Sequence, residues 1–257
     1  MTAYYKPQRT RNIFDPTASK RYKISRSKLD LFIRCPRCFY MDRRLGVGQP
    51  PGYPFNLNSA VDALLKKEFD YYRQRQEPHP LLIENGIEAI PFLHSQLDEW
   101  RDSLHHGIQF QIPNTNIVVT GGVDDVWINT VTQELIIVDY KATSKLGEVS
   151  LDAEWQIGYK RQAEVYQWLF RQNGFSVSDV AYFVYCNGRT DPHRFDKQLL
   201  FNISVIPYVG SSEWVEPSIR KAYECLCLNE IPPHADDCDF CQYTLALNNI
   251  VTRGDSK

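Results

Sequence analysis

The stretch that opens with Gly121-Gly122-Val123-Asp124-Asp125 and closes with Leu135-Ile136-Ile137-Val138-Asp139-Tyr140-Lys141 decides how this chain is read. Ile117, Val118 and Val119 lead into Gly121, and the apolar run Leu135 to Val138 ends on Asp139. A short unbroken apolar run of this kind predicts a strand buried on both faces. Side chains alternate along a strand, so Asp139 and Lys141, two apart, fall on one face of the sheet. Each of two strands therefore delivers a carboxylate, and the second adds a lysine.

One reading of this cluster is a simple ion pair between Asp139 and Lys141. The other is a site for metal-assisted phosphodiester hydrolysis. Asp124 and Asp139 are hard oxygen ligands of the kind Mg²⁺ or Mn²⁺ takes, alongside waters and a substrate phosphate. The Tyr140 carbonyl is a third candidate oxygen, and Lys141 is placed to assist an attacking water or offset charge in the transition state.

Further along, Glu154 to Phe170 holds no proline and one glycine and predicts a helix, on which Gln162 and Tyr166, four apart, share a face. Upstream stands Ser27-Lys28-Leu29-Asp30-Leu31-Phe32-Ile33-Arg34-Cys35-Pro36-Arg37-Cys38-Phe39-Tyr40. The order Gly121-x-x-Asp124, Asp139-Tyr140-Lys141, Gln162-x-x-x-Tyr166 resembles the RecB-like branch of the PD-(D/E)XK nuclease family. The Ser27 to Tyr40 segment is similar to the opening helix of its members with terminal cysteines, the AddB helicase-nuclease subunits and the CRISPR-adaptation exonucleases.

The resemblance implies an α/β fold with a restriction-endonuclease-like central mixed sheet flanked by helices. It also implies Mg²⁺- or Mn²⁺-dependent cleavage of DNA in repair, recombination or processing, with Gln162 and Tyr166 near the DNA. Where such nucleases carry Gly-x-x-x-His, this chain has Asn58-Ser59-Ala60-Val61-Asp62. Asp62 is then either a further metal ligand or a solvent-facing residue of a helix over Leu57 to Tyr72. Substitution of the histidine keeps a second function in view, a nucleic-acid-binding or scaffolding module without turnover.

Two Cys-x-x-Cys pairs, Cys35/Cys38 and Cys238/Cys241, suit four-thiolate binding of Zn²⁺ or of a 4Fe–4S cluster. A shared ion would join the N- and C-terminal helical segments by closing a loop of about two hundred residues. The related nucleases place one cysteine at the start and three at the end, whereas here the division is two and two. The remaining reading is that the pairs are unconnected and Cys35 and Cys38 are small core residues.

With 43% hydrophobic residues over 257 positions, the chain can bury a large core, and no apolar run approaches the length that spans a bilayer. Net charge is −2, but residues 1–44 carry twelve Lys/Arg against three acids, +9, leaving −11 for the remainder. This basic segment, with Arg34, Arg37, Arg43 and Arg44 near its end, is either a phosphate-binding element or a solvated tail. Expected boundaries are a basic, flexible arm over 1–26, one nuclease-like domain over 27–251 and a frayed tail over 252–257. No G-x-x-x-x-G-K-[ST] or G-x-G-x-x-G occurs, so any motor activity would come from a partner such as a helicase or another repair subunit. The expected setting is cytoplasmic, with no membrane partner.

Strands are expected at 88–90, 110–112, 117–121, 123–129, 134–140, 179–185 and 195–205, the second to fifth as an antiparallel meander. Helices are expected over 28–44, broken near Pro36, and over 95–102 and 217–228, with a chain break at Pro78 to Pro80.

Overall fold

A computed structural model of the chain describes residues 8–52 and 56–254. In chain order these form β1 (Tyr22–Ser25), α1 (Arg26–Arg34), α2 (Pro36–Arg43), α3 (Asn56–Arg75), α4 (Pro80–Glu84), β2 (Ala89–Pro91), α5 (Leu97–Arg101), β3 (Ile108–Gln111) and β4 (Ile117–Gly121). There follow β5 (Asp125–Asn129), β6 (Leu135–Thr143), a 3₁₀ turn (Glu154–Gln156), α6 (Ile157–Gln172), β7 (Val180–Gly188), β8 (Phe201–Val209), α7 (Val215–Cys227) and α8 (Asp239–Gly254). No helix among the described residues is long and apolar enough to cross a membrane. The chain divides into two compact units: Met1–Tyr53, Gln111–Val118 and Glu213–Lys257 form the first, Pro54–Phe110 and Val119–Ser212 the second.

The second unit is built on a five-stranded mixed sheet in the order β2-β5-β6-β7-β8. β6 sits at its centre, antiparallel to β5 and parallel to β7, with Asp139 opposite Phe183 and Lys141 opposite Tyr185. The expected α/β architecture, a mixed sheet flanked by helices, is the one observed. Leu135 to Tyr140 are all buried, which explains why the run is apolar without alternation. Parallel β6 and β7 require a crossover, and α6 supplies it.

Only part of the expected meander lies in this sheet. β5 and β6 pair as expected, but β4 is outside it, because the chain leaves strand geometry at Gly122 before β5 begins. Short β2 takes the outer side of β5 instead, with Pro91 opposite Trp127. Edge strands tolerate proline because an outward-facing N–H is dispensable; Pro207 in β8 marks the other edge in the same way. β8 starts at Phe201 rather than near Phe195, since Asp196 and Lys197 adopt positive φ (44° and 63°), which a strand cannot accommodate. Pro80, read as a break, is the first residue of α4, where the missing N–H costs nothing and the His79 side chain accepts from Leu81 N at 3.1 Å.

α3 lays Leu65, Phe69 and Arg73 on the sheet at four-residue spacing. Phe69 is fully buried and lies parallel to His79 (ring centroids 4.1 Å apart) and to Trp127 (5.5 Å). Trp127, Ile136, Val138, Tyr140, Val184 and Cys186 complete this core. Burial of Phe69 is worth about 1.5–3 kcal/mol, so its truncation to alanine would leave a costly cavity. Val138 and Tyr140 thus face α3, and Asp139 and Lys141, out of phase by one residue, face α6.

The first unit is helical around α1, α2 and α7. Cys35 separates α1 from α2 in an extended conformation, and Pro36 opens α2 as its first residue, so the break near Pro36 falls where expected. Of residues 8–26, the described part of the basic arm, Phe14, Tyr22 and Ile24 are buried here. Phe14 is 1% exposed and meets Tyr22 and Tyr223 edge-on, while Arg9 pairs with Asp42 at 2.6 Å. α8 carries the C-terminal segment in helix to Gly254; residues 1–7 and 255–257 lie outside the described residues.

Candidate functional site

Asp139 lies at the buried centre of β6 and is 1% exposed. Its Oδ1 accepts from Gln162 Nε2 at 2.6 Å, and its Oδ2 pairs with the Lys141 ammonium while accepting no well-directed hydrogen bond. Burial drives the Asp139 carboxyl up, the Lys141 charge opposes this, and the neighbouring Asp124 carboxylate adds to it, leaving it near 7. Burial disfavours the charged form of Lys141, but Asp139 and Asp124 outweigh that and hold the amine above its ordinary value. The ammonium also lies 4.4 Å from the centre of the Tyr159 ring, a cation–π contact.

Asp124 occupies a bend just before β5, and its Oδ2 accepts the Tyr140 backbone N–H at 3.0 Å. That bond ties the end of the first carboxylate-bearing segment to the strand that carries the second. Lys66 on α3 bridges Asp62 and Asp124, with Nζ 2.8 Å from Asp62 Oδ2 and 3.5 Å from Asp124 Oδ1. A positive charge thus already stands between two partly exposed carboxylates. Asp124 and Asp139, the latter with a buried oxygen lacking a directed donor, offer hard oxygens of the kind that suits Mg²⁺ or Mn²⁺, and Lys66 links Asp62 to Asp124.

Gln162 and Tyr166 share a face of α6 as expected, but both are buried, at 8% and 3% exposure. Gln162 spends its amide on Asp139 and lies 3.4 Å from the Tyr166 hydroxyl. The Tyr166 ring fills the space over Gly121, where an added Cβ would come within 2.5 Å of it. Gly121 is therefore glycine because an aromatic ring from α6 approaches its backbone.

The neighbour of Asp124 has a different environment, which the sequence did not signal. Asp125 is fully buried, and its Oδ1 faces both Arg73 and Arg101, the latter at 2.9 Å. Its Oδ2 accepts the Tyr140 hydroxyl at 2.6 Å. Arg101 also grips Asp70 through two bonds of 3.0 and 2.9 Å and donates Nε to the Asp124 carbonyl at 3.1 Å. Two carboxylates and two guanidiniums thus balance beside the site and hold the backbone that presents Asp124. Arg101 lies too far in sequence from Lys66 and Arg73 for any spacing to have joined them; the pairs Asp62/Lys66 and Asp70/Arg73 on one helix were the available hints.

In the first unit, Cys35, Cys38, Cys238 and Cys241 converge, with all four sulfurs within 4.8 Å of one another. Cys38 Sγ is 3.6 Å from both Cys238 and Cys241, and Cys35 Sγ is 3.8 Å from Cys241. Cys35 resists ionisation through burial, but backbone N–H groups of Ala235 and Cys38 and the neighbouring thiols bring it down to about 7. The four cysteines have the donor set and proximity that a metal ion or cluster requires.

Of the arginines expected at a nucleic-acid surface, Arg43 is buried and bonded to Asp42 at 2.9 Å. Asp42 also draws in Arg9 and Lys28, so a buried carboxylate collects part of the basic segment's charge inward. Arg44 donates to the Phe14 carbonyl (3.2 Å) and Arg37 to the Pro232 carbonyl (3.1 Å), while Arg34 is the most exposed of the four and pairs with Asp30.

The family model of the PD-(D/E)XK nuclease superfamily matches residues 23–245. A solved structure described as "Crystal structure of SSO0001" is 15% identical, with 87% of this chain and 84% of that one covered, at a TM-score of 0.36, too low to carry weight. No curated protein matches the chain. A match over so much of the chain, spanning all the residues of the β6 site, means that this protein belongs to the PD-(D/E)XK nuclease superfamily.

Proposed function

We propose that the protein is a Mg²⁺- or Mn²⁺-dependent nuclease that hydrolyses phosphodiester bonds of DNA, acting in the cytoplasm in repair, recombination or DNA processing. The observation that carries this reading is Asp139: a buried carboxylate on the central strand, oriented by Gln162, faced by Lys141 and beside Asp124. Asp124, Asp139 and the Tyr140 carbonyl, with Asp62, would hold the cation, which when bound would supply Lewis-acid polarisation of the scissile phosphate.

The chain's own groups do the rest. Gln162 fixes the direction of Asp139, so the carboxylate needs no reorganisation when a phosphate arrives. Lys141 supplies a positive charge for the attacking water and the developing charge on phosphorus. Arg101 and Asp125 hold the bend that presents Asp124. A helicase or other repair subunit would supply strand opening, since the sequence has no phosphate-loop motif.

Titration of the protein with Mg²⁺ and Mn²⁺ on circular and linear, single- and double-stranded DNA tests this. Product that depends on the cation and vanishes with chelator is expected. DNA affinity without product at any metal concentration would favour the binding or scaffolding module instead.

The cysteine site is read as holding one Zn²⁺. A tetrahedral ion with Zn–S near 2.3 Å places its sulfurs about 3.8 Å apart; three of the six separations here are 3.6, 3.6 and 3.8 Å, and all four sulfurs lie within 4.8 Å of one another. A 4Fe–4S cluster binds each thiolate to a different iron and so spreads the sulfurs wider. Protein purified without oxygen should be colourless and contain one zinc per chain. Iron and sulfide with a broad visible absorbance would contradict this.

A further inference from the structure

The segment between β6 and α6 makes no contribution to the chemistry described so far, yet it is held firmly beside Lys141. Gln156, 5% exposed, donates to the Ser150 carbonyl at 2.7 Å and to the Tyr185 hydroxyl at 3.1 Å, and its Oε1 accepts from Ala153 N at 3.0 Å. Tyr185 is the register partner of Lys141. With the backbone pinned on both sides, Trp155 is left 68% exposed. Its ring meets Tyr159 edge-on at 5.5 Å, and the Lys141 ammonium lies 4.4 Å from the centre of the Tyr159 ring.

Tyr159 also lines a cavity of about 420 Å³, together with Ala142, Thr143, Leu199 and Phe201. That volume lies within the range of roughly 300–1,000 Å³ seen for small-molecule sites. The cavity adjoins a second, of about 540 Å³, through their shared Gly188. Lys145 and Arg189 line this second one, Arg189 paired with Asp191, with Glu148 as a further acid. An exposed tryptophan held in place by a buried amide, against a ring that touches the catalytic lysine, is an unusual use of apolar surface. Aromatic faces accept any base, and each stacked base contributes affinity without sequence preference.

We propose that Trp155 and Tyr159 form a stacking ledge for an unpaired nucleobase next to the scissile phosphate, so that the site takes single-stranded or frayed DNA. This rests on the nuclease reading and names the substrate form of that site. A base within a duplex hides its faces in the stack, so the ledge can engage one only where the strand is unpaired. Lys145 and Arg189 then lie along the backbone path next to it.

The test uses full-length protein silenced by Asp139→Asn, with fluorescence anisotropy on three probes: a single-stranded oligonucleotide, the same strand with abasic sites, and a blunt duplex. Adding Trp155→Ala should weaken binding of the base-bearing strand by about tenfold. The dependence of affinity on salt should not change, because no phosphate contact is lost. Trp155→Phe should recover most of the affinity, and the abasic strand should bind both proteins equally. An equal loss on the abasic strand, or no loss on the base-bearing one, overturns the ledge. The two readings fail separately. Without the ledge, the parent protein still cuts DNA with Mn²⁺; without nuclease activity, there is no cleavage, whatever Trp155 contributes to binding.

Discussion

Asp124 and Asp125 are adjacent in the chain and chemically identical, yet the fold gives them opposite situations. Asp125 is fully buried, meets two guanidiniums and a tyrosine hydroxyl, and belongs to a closed, charge-balanced network with Asp70, Arg73 and Arg101. Asp124 is partly exposed, bridged loosely to Asp62 through Lys66, and close enough to Asp139 to raise that carboxyl. Consecutive residues entering a strand point to opposite sides, so a one-residue step separates a buried, paired carboxylate from a partly exposed one. The buried carboxylate anchors the backbone, and its partly exposed neighbour is the one that the proposed function assigns to the cation.

Asp125→Ala leaves Arg73 and Arg101 facing a hole in the core, and loss of one partner from such a buried network costs about 3–5 kcal/mol. Urea denaturation should show that loss, and a stability unchanged from the parent would mean that the network is not what holds the bend. Asp124→Asn should do the reverse. Folding should stay within about 1 kcal/mol of the parent, while metal-dependent cleavage falls about a hundred- to a thousandfold, the scale of one lost electrostatic stabiliser. If the two substitutions had the same profile, the division of labour between neighbours would be wrong.

A smaller effect sharpens the role of α6. Gln162→Leu removes the donor that orients Asp139, and the outer partner of a metal ligand is worth about ten- to a hundredfold in metal affinity or activity. The half-activating Mn²⁺ concentration should rise accordingly. A shift in DNA affinity alone, with the metal response unchanged, would instead return Gln162 to the strand-contacting role expected from its motif.

These contrasts explain what the sequence could and could not disclose. The apolar run before Asp139 made β6 legible, and the two-residue period put Lys141 on the Asp139 side and Tyr140 on the other. The spacing of the cysteines was enough to suggest convergence of two pairs 200 residues apart. Burial of Gln162 and Tyr166 was not legible, because a shared helical face does not say whether it meets solvent or a strand. Nor was the Asp125 network, since Arg73 and Arg101 reach it from α3 and α5, and nothing in one element's pattern refers to the other. The same holds for Arg43: a basic segment reads as an electrostatic surface until one buried carboxylate, Asp42, is seen to turn some of its charges inward.

Asp139 is the centre of the proposed cation-dependent hydrolytic site. The most direct measurement is the initial rate of DNA cleavage with Mn²⁺ for the parent and for Asp139→Asn, on proteins shown by circular dichroism to be equally folded. The expected result is robust cleavage by the parent and background for the variant, with the parent falling to the same background in chelator. An Asp139→Asn protein that cuts DNA as fast as the parent would contradict it.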